Sequence, residues 1–240
     1  MPEHTPDFFF NLYTGFSAPI SKLDCGKNCA PYNENHIPFC CDTRHSLPVA
    51  YEDEWEYLKA HTDLWHLWNP RQPEHRRQME KQVPQGQVLI ECLGYTLCQR
   101  NFRSITCRAF PFYPYFSGEG EFIGVSYYWE YEDRCWVISN LRVMTPGYLR
   151  EMIQTMETLF ERYPSEKEQF QYHSAEMRRV FGRMGRTILF IGRDGNNYKH
   201  SPRTGRIRLV PLDKLPKFGA YKIAEALPFP DEVIRHNEPE

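Results

Sequence analysis

Four cysteines fall within DCGKNCAPYNENHIPFCCD, residues 24–42, as Cys25, Cys29, Cys40 and the adjacent Cys41. Three more, Cys92, Cys98 and Cys107, lie in ECLGYTLCQRNFRSITCRAF. Thiolates are soft ligands, and four of them hold either a structural zinc ion or a [4Fe-4S] cluster. Seven candidates exceed both needs, so the choice of four stays open, as does a second centre. Disulfides and plain apolar packing are the other readings, since a single free cysteine is among the most buried residue types. Eight cysteines in 240 residues fall well below the density of a disulfide scaffold. In a reducing compartment clustered thiols point first to metal. Cys135, in the apolar run CWVIS, is expected to be core.

The local chemistry around these thiols agrees with a ligand role. Gly26 and Asn28 favour a tight turn that aims Cys25 and Cys29 the same way. Cys40 and Cys41 can serve one centre only if the backbone bends, because neighbours on a strand point to opposite faces. Arg100, Arg103 and Arg108 are placed to offset thiolate charge and to donate hydrogen bonds to sulfur. His36 and His45 flank the CC pair and could join a zinc site, though solvated loop positions are the preferred reading for both. His61 and His66 are five apart, which is not the i, i+4 spacing of a helical zinc motif. Asp24 and Asp42 are expected to form turns or caps. GRMGR at 182–186 lacks a dinucleotide fingerprint, and GxSxG, Walker and HExxH motifs are absent from the sequence.

The cysteine pattern resembles that of the YkgJ-type zinc- or iron-chelating family, the CxxxCC or CxxCxxCC cysteine-cluster proteins. Cys25, Cys29, Cys40 and Cys41 match its first group, Cys92 its lone cysteine and Cys98 the next. RSITCRAFP, from Arg103 to Pro111, resembles its closing Arg-Pro-x-x-Cys-Arg-x-Phe-Pro signature, with Cys107 at the ligand position. Ser104 stands where the family has proline, CQRNF replaces Cys-x-Ile-Tyr, and ten residues separate Cys29 from Cys40. The resemblance spans roughly residues 20–120 and implies zinc or iron bound by all or some of the seven cysteines. A flagellin lysine N-methylase carries a similar cluster, which implies a [4Fe-4S] centre and, as one alternative, S-adenosylmethionine-dependent protein-lysine methylation. No nucleophile or acid–base pair in the sequence supports that activity by itself, and the other alternative is a structural zinc protein with an interaction role.

The elements that position these residues read as α+β. The first fifty residues lack periodicity and are expected to be irregular structure around a metal site. YEDEWEYLKAHTDLWHLW, residues 51–68, reads as an amphipathic helix, and QVLIEC as a strand that ends on Cys92. EFIGVSYYWEYEDRCWVISN reads as a hairpin turning at Glu132–Arg134. Pro146 opens a helix with the stripe Leu149, Met152, Ile153, Met156, Leu159 and Phe160, and Pro164 closes it. Ser165 and Glu168 form a capping-box signature for a further helix towards Arg183. A strand, a turn from Asp194 and a strand near Ile207–Val210 complete the pattern. FPFYPYF is expected to be core or a shield around a cluster. We expect a cysteine-cluster region over 1–120 and an α+β region over 121–240, packed as one body.

Composition bounds the function. Hydrophobic residues make up 41 % and aromatics 15 %, which is globular. With 29 Lys plus Arg against 31 Asp plus Glu there is no basic excess, so no nucleic-acid partner is expected. The acidic start and the absence of a long apolar run lead to the expectation of a cytoplasmic protein with no membrane partner. A protein partner is left open, and so is whether the chain is an enzyme.

Overall fold

The computed structural model describes residues 5–222. The chain is α+β, and its described residues fall into two compact units, one built from residues 5–17 and 26–110, the other from 18–25 and 111–222.

In the first unit, α1 (Thr5–Gly15) is followed by the one-turn α2 (Cys25–Cys29), which begins on the last residue of the 18–25 segment. The opening residues are thus not all irregular. Phe8, Leu12 and Phe16, beside Phe9 and Tyr13, recur at helical spacing and are all buried. The non-periodic composition is confined to the segment beyond α1. Strand β1 (Val49–Tyr51) leads into α3 (Glu52–His61), on which α1 packs, with the Tyr13 and Tyr57 rings edge-on at 5.3 Å. Burying each such ring contributes about 1.5–3 kcal/mol.

The helix expected over 51–68 ends at His61. Thr62 is extended, with φ −158°, and β2 (Trp65–Leu67) leaves in strand geometry. The reason is tertiary: Trp65 pairs with Cys92, and its indole N–H donates to the Phe102 carbonyl at 2.7 Å. After α4 (Pro73–Glu80), strand β3 (Gln87–Cys92) pairs antiparallel with β1 through its first half and with β2 through its second. As expected, β3 ends on Cys92. Helix α5 (Ile105–Ala109) then carries Cys107.

The second unit is a five-stranded antiparallel sheet in chain order: β4 (Phe112–Phe116), β5 (Phe122–Tyr127), β6 (Ile188–Gly192), β7 (Asn197–His200) and β8 (Ile207–Leu209). Every β4 residue is buried, so the aromatic run is core. Pro114 is tolerated because β4 is an edge strand and one of its sides needs no N–H donor. The expected hairpin past Glu132 does not form. Both sides of β5 are already paired, with β4 and β6, so the Cys135–Ser139 run finds no free edge there. It winds instead through 3-10 turns that bury Trp136, Val137 and Ile138. Gly124 is required where β5 meets β6: a Cβ there would lie 2.1 Å from the Ile191 carbonyl oxygen.

Helix α6 (Pro146–Arg162) buries the whole expected stripe, and Thr145 caps it by accepting from the Tyr148 amide at 3.2 Å. Pro164 does not merely stop that helix. It opens α7 (Pro164–Met184), whose N-cap is Tyr163 and not Ser165. Met177 and Phe181 of α7 pack with Tyr113, Tyr115, Ile188 and Phe190. The C-terminal segment holds three strands, β6 to β8, where two were expected, because the turn at Asp194 is tight enough for Ile191 to pair with Asn197. No helix among the described residues is long and apolar enough to cross a membrane.

Candidate functional site

Four of the seven clustered cysteines come within one another's electrostatic reach in the first unit. Cys92 arrives at the end of β3, Cys107 on α5, Cys98 after the short 3-10 turn Tyr95–Leu97, and Cys41 in the turn Phe39–Cys41. The Cys107 thiol lies in the electrostatic field of Cys41, Cys98 and Cys92, and all but Cys92 lie in that of Arg103. Arg103 Nε donates to Cys98 Sγ at 3.0 Å. Cys40 Sγ is 4.0 Å from Cys41 Sγ, which answers how an adjacent pair can share one neighbourhood: a 3-10 turn bends the backbone there.

Each position has a local cause. The loop that carries Cys40 and Cys41 is fixed by Asp42, which is buried and accepts from Asn33 Nδ2 at 3.0 Å, the Arg44 amide at 3.1 Å and Arg44 Nη2 at 2.7 Å. The Arg44 guanidinium holds the Asp42 carboxyl well below the usual carboxylate range. The turn-forming role expected for Asp42 is thus observed. Cys107 is placed by Ser104, fully buried at the N-cap of α5, whose hydroxyl accepts from the Cys107 amide at 3.2 Å. Ser104→Ala is expected to cost about 1 kcal/mol of stability. Urea denaturation checks this, and an unchanged midpoint would show that the cap does not hold α5.

The arginines divide their tasks. Arg103 faces the thiols. Arg108, also in the field of Cys107, donates to the carbonyls of Arg103, Asn101, Tyr13 and Phe16, and it lies over the Tyr13 ring at 4.4 Å. Burial pushes the Cys107 thiol up to about 12, against the pull of Arg103, and burial also raises Cys92. The Cys41 thiol is lowered, first by its contact with Cys40 and further by Arg103. Arg103 is held above its ordinary value: burial opposes this, and the charges of Cys107, Cys98 and Cys41 outweigh it.

The remaining candidates lie around this group or apart from it. Cys25 and Cys29 begin and end the single helical turn α2, four residues apart and so on one face; the tight turn expected there is one turn of helix. Cys29 is buried, with its thiol 3.6 Å from the Gly26 carbonyl. Cys135 is half-buried beside the buried Trp136. All eight cysteines are free thiols. Among the described residues, no three or more His, Cys, Asp or Glu side chains close to the distances of a metal-binding group. His36 is exposed, and His45 rests edge-on against Phe39 at 5.1 Å. His61 stacks on Tyr57 at 4.2 Å, and His66 is exposed.

Sequence reasoning missed Glu54. It reads as one of several acids in a first turn, yet it is completely buried. Its signal was available: an acid three residues into a helix can reach back to the N-cap amide. Glu54 Oε2 does so, accepting from Tyr51 N at 3.3 Å.

The fold is that of an α+β protein in which three thiols, of Cys41, Cys98 and Cys107, lie in the field of one guanidinium, that of Arg103. No family model matches this chain, and neither a curated protein nor a solved structure matches it.

Proposed function

We propose that the chain is a cysteine-ligated metalloprotein, that its resident group is a [4Fe-4S] cluster, and that Cys41, Cys92, Cys98 and Cys107 hold it. The observation that carries this reading is that those four thiols, from four separate turns and elements, lie within one another's electrostatic reach, three of them also within that of Arg103. The donor set fits the group: four soft sulfur ligands, with no carboxylate or imidazole required. When bound, such a cluster supplies one-electron transfer at a potential that hydrogen bonds to its sulfurs help set.

The protein's own residues have defined tasks in this reading. Arg103 offsets the charge that four thiolates accumulate and orients Cys98 through its Nε–H. Ser104 fixes Cys107, and the Asp42 network fixes Cys41. The likeness of RSITCRAFP to the YkgJ-type signature supports the assignment of Cys107. Because ligands and metal close a site together, the distances between the thiols are expected to shorten on loading.

Anaerobic purification tests the proposal. A brown protein with broad absorption in the blue, and iron and acid-labile sulfide in equal amounts, is expected. A colourless protein that holds only zinc would replace the cluster by a tetrahedral zinc site. A chain that takes up neither metal would remove the metalloprotein reading.

A further inference from the structure

The second unit contains a cavity of about 530 Å³ between the first turns of α6 and the turn that joins β6 to β7. That volume lies within the range of small-molecule sites. Its apolar wall is formed by Met144, Leu149, Ile153 and Ile191. Two of the guanidinium groups that line it are differently engaged: Arg193 is paired with Glu157 at 2.7 Å, whereas Arg150 makes no ion pair among the described residues. The positive end of α6 adds to the same field.

Asn197 is the independent observation. It lines the cavity and is only 8 % exposed, and its Oδ1 has no hydrogen-bond partner among the described residues. A buried amide oxygen left without a donor costs about 1–3 kcal/mol. The neighbouring carboxylate of Asp194 is already engaged by Asn196 Nδ2 at 2.9 Å and by the Tyr198 hydroxyl at 2.6 Å. The unmet demand in the cavity wall is therefore for a donor, beside an unpaired cation and apolar side chains.

We propose that this cavity binds a small organic anion that also carries an apolar group and an N–H or O–H donor. The anionic group meets Arg150, the apolar group lies on Leu149 and Ile153, and the donor satisfies Asn197 Oδ1. All of these residues belong to the second unit, so the proposal stands apart from the cysteine site.

N-acetyl-L-phenylalanine carries all three features and serves as the probe, titrated calorimetrically into the full chain alongside its methyl ester and its N-methylated form. The acid is expected to bind about tenfold or more tightly than either derivative. Arg150→Gln, an exposed position, is expected to weaken the acid about tenfold and leave the ester unchanged. Asn197→Val is expected to abolish the preference for the unmethylated amide while leaving the melting temperature equal or higher, since it removes an unpaired buried acceptor. Absence of saturable binding, equal affinity for acid and ester, or acid binding unaltered by Arg150→Gln would overturn the proposal. The Arg150 variant decides the matter even if the Asn197 variant does not fold.

Discussion

Replacement of Glu54 by alanine is expected to destabilise the chain by about 3–5 kcal/mol near pH 5. Glu54 Oε1 accepts from the Tyr13 hydroxyl and from the Ile105 amide, each at 2.7 Å, so one carboxyl ties α1, α3 and α5 together. Truncation leaves these two donors and the Tyr51 amide without their acceptor and opens a cavity besides. Burial pushes this carboxyl up from 4.5 to about 7, against the opposing pull of its donors and of Arg108. A folded-state value above the unfolded one means that the folded chain prefers the neutral form. The contribution is thus fully present below about pH 4.5 and is lost as pH rises through 7, about 3 kcal/mol in all. Glu54→Gln keeps the shape and one acceptor but does not titrate. It is expected to cost about 1–2 kcal/mol at acid pH and to equal or exceed the wild type by about pH 8. Urea denaturation across that interval measures the difference, and a gap that does not change with pH would show that Glu54 is charged throughout.

Cys107→Ser and Cys41→Ser are each expected to retain about a tenth or less of wild-type metal after anaerobic reconstitution, and to melt earlier, because metal affinity and folding free energy are linked. Cys135→Ser is the matched control. It removes a half-buried thiol of the second unit and is expected to load fully. Both readouts matter: a variant that melts early yet loads normally identifies a packing cysteine, and equal loading in all three removes the ligand assignment. The comparison also separates Cys40 from Cys41, since Cys40→Ser leaves intact the sulfur that shares the field of Arg103 with Cys98 and Cys107.

Much of this could be read from residue order, and what could not has identifiable causes. The stripe of α6 was legible because six apolar residues at helical spacing leave few other options, and QVLIEC was legible because its strand ends where the cysteine must sit. Trp65 and Trp68 misled because a spacing of three fits a helix as well as a short strand with irregular flanks. Pairing with Cys92, decided twenty-seven residues later, settles the matter. The aromatic run through Cys135 has strand propensity and no strand partner, since β5 is paired on both sides. Within the candidate site, the thiols and the neighbouring arginines were evident from their spacing. The division of labour between Arg103 and Arg108 was not, because it depends on where the carbonyls of Tyr13 and Phe16 lie after α1 has docked. Glu54 was legible only in part: its position three residues into α3 marks it as the capping acid, but its bonds to Tyr13 and Ile105 depend on where α1 and α5 dock.

Arg108 has a further consequence in time. Its guanidinium reaches back 95 and 92 residues, to Tyr13 and Phe16. At ordinary rates of synthesis, α1 leaves the ribosome on the order of 5–20 s before its anchor exists. Glu54, 41 residues beyond Tyr13, is made in less than half of that interval, so the ring of Tyr13 can meet its carboxyl well before it meets Arg108. The seating of α1 is therefore completed in two stages, by α3 through Glu54 and then by α5 through Arg108.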